Sequence, residues 1–65
     1  MKEYNILIKD VYTNEKRSET IVCEENVDIR VVHKQALKKV KRHEDIECVS
    51  HNRKLLYTID KGFLI

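Results

Sequence analysis

Polar and apolar positions alternate along this chain with two different periods. In residues 4–12, YNILIKDVY, the side chains of Tyr4, Ile6 and Ile8 fall on one side and those of Asn5 and Lys9 on the other. A period of two describes a strand with one face buried. Leu7 interrupts the polar side, so the second face is expected to be partly covered as well. Thr13-Asn14-Glu15-Lys16 is polar and carries the turn-tolerant Asn14. Residues 17–24, RSETIVCE, rise into Thr20-Ile21-Val22-Cys23, β-branched and too short for a helix. These two elements predict a hairpin whose turn depends on Asn14.

Between Asn26 and Glu44 the period changes. Ile29, Val32, Ala36 and Val40 fall within one helical stripe, with Leu37 at its edge. Arg30, Lys34, Lys38, Lys41 and Arg42 project from the opposite side. Asp28 or Asn26 is the expected N-cap. After Asp45 the strand period returns, with Ile46, Cys48 and Ser50 alternating with Glu47, Val49 and His51. The segment HNRK, residues 51–54, reads as a second turn in which Asn52 takes a positive φ. Leu55, Tyr57 and Ile59 then line one side of a fourth strand, opposite Lys54 and Thr58. The predicted fold is α+β, one small domain over residues 1–65. Its order is ββαββ: antiparallel hairpins with one amphipathic helix packed on one face of the sheet.

One helix covers one face of such a sheet. The other face is expected to carry Leu7, Ile21, Val49 and Leu56, too apolar a set to be left simply solvated. The sequence given ends Phe63-Leu64-Ile65. These three residues are expected either to tuck against the sheet or to contact a partner or a second copy, making the protein a homo-oligomer.

Size reinforces the expectation of self-association. A chain near 65 residues buries only about 60% of the surface its unfolded form exposes, and such domains often gain support from a disulfide, a metal or a partner subunit. No run approaches the roughly 20 apolar residues of a membrane span, and no secretory leader is recognisable. The two cysteines, Cys23 and Cys48, are therefore expected to be reduced thiols in a cytoplasmic protein.

Charge changes the picture in one region. The 13 Lys+Arg against 11 Asp+Glu leave only +2, too balanced for a dedicated polycation. Yet residues 1–33 hold 5 basic and 7 acidic groups (net −2) and residues 34–65 hold 8 and 4 (net +4). The basic stripe either is a solvated face whose cations complement the helix dipole, or tracks nucleic-acid phosphates. Tyr4, Tyr12 and Tyr57 lie on strands, which argues against a base-stacking platform.

Other chemistry is poorly supported. Cys23, His33, His43, Cys48 and His51 include no CxxC pair, and the close pair Cys48-x-x-His51 points to opposite sides of a strand. No metal and no cofactor are expected. Gly62 is the sole glycine, so a glycine-rich phosphate loop is excluded, and no nucleophile–base pair is positioned. The helix lacks the Trp, Phe or Leu-rich face of a membrane-surface anchor. Lys-, Ile-, Glu- and Asn-rich, Pro-free usage has the compositional character of small proteins from AT-rich bacteria or their phages, and an accessory protein of that kind is expected. The reading is a small intracellular protein-binding and regulatory module, self-associating and not an enzyme. The alternative is a nucleic-acid-binding protein using Arg30, Lys34, Lys38, Lys41 and Arg42.

Overall fold

A computed structural model describes residues 1–64. Five strands and one short helix follow in the order β1 (Lys2–Asp10), β2 (Lys16–Cys23), α1 (Ile29–Ala36), a 3-10 turn (Leu37–Lys39), β3 (Glu44–His51), β4 (Lys54–Thr58) and β5 (Gly62–Phe63). The fold is α+β. All strand pairings are antiparallel, in the spatial order β2-β1-β3-β4-β5. The two-residue β5 adds a strand to the expected order.

Alternation along β1 buries Tyr4, Ile6 and Ile8 on one face. Ile21 and Cys23 of β2, Ile46 and Val49 of β3, and Ile29, Val32 and Ala36 of α1 complete the same apolar cluster. Ile6, Ile8, Ile46, Val32 and Val49 are its fully enclosed members. Ile21 and Val49 thus belong to the core and Leu56 packs against it, so the expectation that these three line the second face is corrected.

The β-bulge at Glu47 accounts for Val49, whereas Ile21 simply faces Tyr4 across the unbroken β1–β2 register. β3 opposes β1 with Leu7 facing Cys48 and Ile8 facing Ile46, so Glu47 is an extra residue between them. The extra residue resets the alternation, and Ile46 and Val49, three apart, face the same way. A second bulge lies between β3 and β4: Val49 faces Tyr57 and Ser50 faces Leu55, leaving Leu56 extra. Leu55 and Tyr57, expected on one side of the fourth strand, lie on opposite sides.

The helix begins as expected. Asp28 Oδ1 accepts from the Arg30 backbone N–H at 2.8 Å, the capping bond that satisfies an otherwise orphaned donor. It ends at Ala36, well short of the expected Glu44. Val40 is extended (φ −83°, ψ 147°), and the chain is already being drawn into the sheet by a bond from Val11 N–H to His43 O at 3.0 Å. Val40 still packs against the core, so an apolar position that fits a helical stripe is equally well served by an extended connection.

Three of the turns place Asn14, Asn26 and Asn52 at positive φ (64°, 67° and 51°), where asparagine is tolerated best among non-glycine residues. Arg53 shares that conformation (φ 67°). Asn52-Arg53 is the two-residue connection of the β3–β4 hairpin, the primed turn that suits strand twist. A β-carbon in this region costs about 1–2 kcal/mol, partly offset by glycine's greater unfolded-state freedom. Arg53 is exposed. Arg53→Gly is therefore expected to raise stability by about 0.5–1 kcal/mol in urea denaturation; an unchanged or lower midpoint would show that the turn carries no such strain.

Candidate docking surface

The face of the sheet opposite the core has no helix over it among the described residues. Leu7 and Lys9 of β1, Glu47 and Cys48 of β3, and Leu55 and Thr58 of β4 project there, followed by Ile59 just beyond β4. Val11, Leu55 and Ile59 are about half exposed (54%, 49% and 48%). Two adjoining concavities, of about 210 and 250 Å³, share Glu47, Ile59 and Asp60 as walls. Together they form a trough across the sheet with an apolar floor and a charged rim of Lys9, Lys16, Asp45, Glu47 and Asp60.

The Glu47 bulge shapes this trough. Glu47 Oε2 lies 3.2 Å from Lys16 Nζ, spanning β1 from strand to strand, and that oxygen is enclosed without a hydrogen bond. Burial, with Glu47 beside it, pushes the Cys48 thiol above its ordinary pKa. A thiol held protonated in this way is a small apolar side chain rather than a nucleophile.

On the other face, a polar clip closes the core. Arg17 of β2 donates from Nε and Nη2 to the two oxygens of Glu44, at 2.9 and 2.8 Å, and from Nη2 to the Lys39 carbonyl at 2.9 Å. Glu19 pairs with the remaining nitrogen. Glu44 also accepts from the Lys41 backbone N–H at 2.8 Å. These donors hold the Glu44 carboxyl at a pKa of about 2, the Arg17 hydrogen bonds being the largest cause, and raise that of Arg17 in turn. The clip is structural: it fixes the connection from α1 to β3. Its partners are 27 residues apart, and no local pattern announces them.

The five cations expected on one helical stripe lie on separate segments. Arg30 and Lys34 are on α1, Lys38 is in the 3-10 turn, and Lys41 and Arg42 are in the connection to β3. The Arg30 guanidinium sits over the Phe63 ring, 4.8 Å from its centroid, and 3.7 Å from Asp28. Lys34, Lys38, Lys41 and Arg42 are exposed or nearly so.

Of the three apolar residues closing the sequence, Phe63 pairs with Tyr57 across β4–β5 and packs against His33 at 5.5 Å between ring centroids. His33 and Tyr57 are 4.4 Å apart, so β5 is anchored to α1 on the core side by an aromatic group. Leu64 donates its backbone N–H to the Leu56 carbonyl (2.9 Å), and its side chain is 43% exposed. Ile65 lies outside the described residues.

The remaining cysteine and histidines are dispersed. Buried Cys23 donates to Gln35 Oε1 at 3.5 Å; His51 Nδ1 lies 2.9 Å from the Glu3 carbonyl; His43 stacks near Tyr12. Among the described residues, no group of three or more His, Cys, Asp or Glu side chains is arranged to hold a metal ion, and no helix is long and apolar enough to cross a membrane. The chain matches no family model, no curated protein and no solved structure.

Proposed function

We propose that this protein is a non-catalytic docking module, an accessory or regulatory factor that binds a protein partner through the open face of its sheet and associates with itself. The observation that supports this reading is the trough between Leu7, Leu55 and Ile59, an apolar floor inside a rim of both charge signs. Such a floor gains from burial at about 25 cal/mol per Å² of apolar surface, and the mixed rim suits polypeptide better than a uniformly charged polymer. The helix, by covering only the opposite face, leaves this one available. Phe63 serves the aromatic anchor of β5, so of the two described apolar residues at the close of the sequence Leu64 is the one presented for contact.

The test uses purified chain immobilised in extract of its source cells, treated with nuclease. The wild type is expected to retain a discrete protein that the variant Leu55→Asp/Ile59→Asp does not, with unchanged circular dichroism for both. Loss of apolar burial and introduction of desolvated carboxylates should weaken binding at least tenfold. Equal retention by both proteins would sink the reading. So would salt-sensitive binding of labelled oligonucleotides that Lys38→Glu/Lys41→Glu abolishes, since that would move function to the basic segments.

A further inference from the structure

The outer edge of β2 is long, regular and ungated. β2 has a single neighbour, β1, and pairs with it over eight positions without a bulge. It contains no proline. Which backbone groups it leaves free follows from the hairpin. Asp10 N–H donates to Glu15 O at 2.8 Å, so Asp10 and Glu15 are a hydrogen-bonded pair. Alternation of antiparallel pairs then turns Arg17, Glu19, Ile21 and Cys23 toward β1. Lys16, Ser18, Thr20 and Val22 direct their N–H and C=O groups away from the sheet, and the side chains of these same four residues are all exposed.

We infer that two copies of the chain join through this edge, β2 against β2, about a twofold axis at Thr20. Only even-numbered residues can meet as hydrogen-bonded pairs, which restricts the register to steps of two. With Thr20 opposite Thr20, Ser18 meets Val22 and Lys16 meets Glu24, twice over by symmetry. Three such pairs lie within β2 and exchange roughly six backbone hydrogen bonds, while Glu24, just past the end of β2, is brought beside Lys16 at each end. A shift of two toward Ser18 sets Glu19 against Glu19, a like-charge pair directly opposed. A shift of two toward Val22 sets Lys16 against Asn26, and a larger shift toward Ser18 sets Val22 against Asn14; the positive φ of each asparagine ends the extended backbone. The Thr20 register combines strand overlap from Arg17 to Cys23 with opposite charges at both ends and no like-charge pair within β2.

The consequence is a ten-stranded sheet in which both troughs lie on one side and both helices on the other. This deepens the docking reading, on which it rests for what the joined face would do; the pairing itself is tested independently of it. In sedimentation equilibrium the full chain should form a reversible dimer. Glu24→Lys, which opposes Lys16 with a lysine, should weaken it about tenfold, and Lys16→Glu/Glu24→Lys should restore it. Under mild oxidation Thr20→Cys should give a reducible covalent dimer, because hydrogen-bonded pairs place Cα atoms about 5.5 Å apart, within disulfide reach. Ser18→Cys should not, its two copies being about 13 Å apart along the strands. The parent chain, carrying Cys23 and Cys48, is the blank. A monomer at every concentration, with no Thr20→Cys cross-link, overturns the inference. A dimer that Thr20→Cys does not cross-link, or that Ser18→Cys does, also overturns it and places self-association elsewhere, leaving the trough to be judged by the Leu55→Asp/Ile59→Asp comparison.

Discussion

Ile8→Ala is expected to remove a large part of the protein's stability. Ile8 is fully enclosed (0% exposed) at the middle of the sheet, on the one strand with long pairings on both sides, opposite Arg17 of β2 and Ile46 of β3. Truncating a buried isoleucine to alanine typically costs about 2–5 kcal/mol, the transfer energy of the lost groups plus the cavity they leave. A domain of 65 residues has a total of only about 3–10 kcal/mol to lose. The variant should therefore unfold at much lower urea than the wild type, and a fraction should be unfolded without denaturant. Val11→Ala, at a half-exposed position on the open face, should shift the midpoint by less than about 0.5 kcal/mol. A cost below about 1 kcal/mol at Ile8 would mean that the core re-packs around the gap, contrary to the close fit described here.

Acid should loosen the protein by way of Glu44. Its folded pKa of about 2 lies below the ordinary 4.5. A group depressed in this direction binds fewer protons folded than unfolded, so its contribution is fully present above about pH 4.5 and is lost as the pH falls toward 2. The chief cause is the two-pronged hydrogen bond from Arg17, which keeps its charge throughout this range. Thermal midpoints should accordingly fall over that window. Glu44→Gln should be less stable at neutral pH and show a shallower acid decline. The decline should not vanish, because Asp10 is also depressed by the N–H groups of Thr13 and Tyr12. Parallel curves for the two proteins would mean that the clip contributes nothing to the acid limb.

The strands were legible where alternation runs unbroken. β1 follows from Tyr4-Ile6-Ile8 because a period of two leaves only one way to bury such a set; β2 is marked by the β-branched run Thr20-Ile21-Val22-Cys23, which locates the strand without saying that Ile21 faces the core. β3 was located but its faces were mis-sorted, since the extra residue at Glu47 carries no mark of its own: a glutamate on a strand looks the same in a bulge as in a regular ladder. The same holds for Leu56. The helix was over-extended because Leu37-Lys38-Lys39-Val40 contains no glycine, proline or asparagine to signal a stop, and Val40 is apolar at a helical interval. What ends the helix is long-range: Glu44 is held by Arg17, and His43 is bonded to Val11. The open trough was anticipated through Leu7, but its composition depends on the bulges, and so could not be read residue by residue.

The place of β1 in the sheet has a consequence for how the chain is made. β1 is the first of these five strands to be synthesised and needs two partners, yet β3, the second of them, is some forty residues further along. A hairpin of β1 and β2 emerging from a ribosome has an apolar face bearing Tyr4, Ile6 and Ile8, which α1 is the first element able to cover, and a bare inner edge that nothing closes until residue 51 has been made. Long-range pairings of this kind form slowly relative to local ones. During that interval β1 offers to any neighbouring nascent chain the same edge that β3 will occupy, and crowding on a busy message would favour the wrong partner.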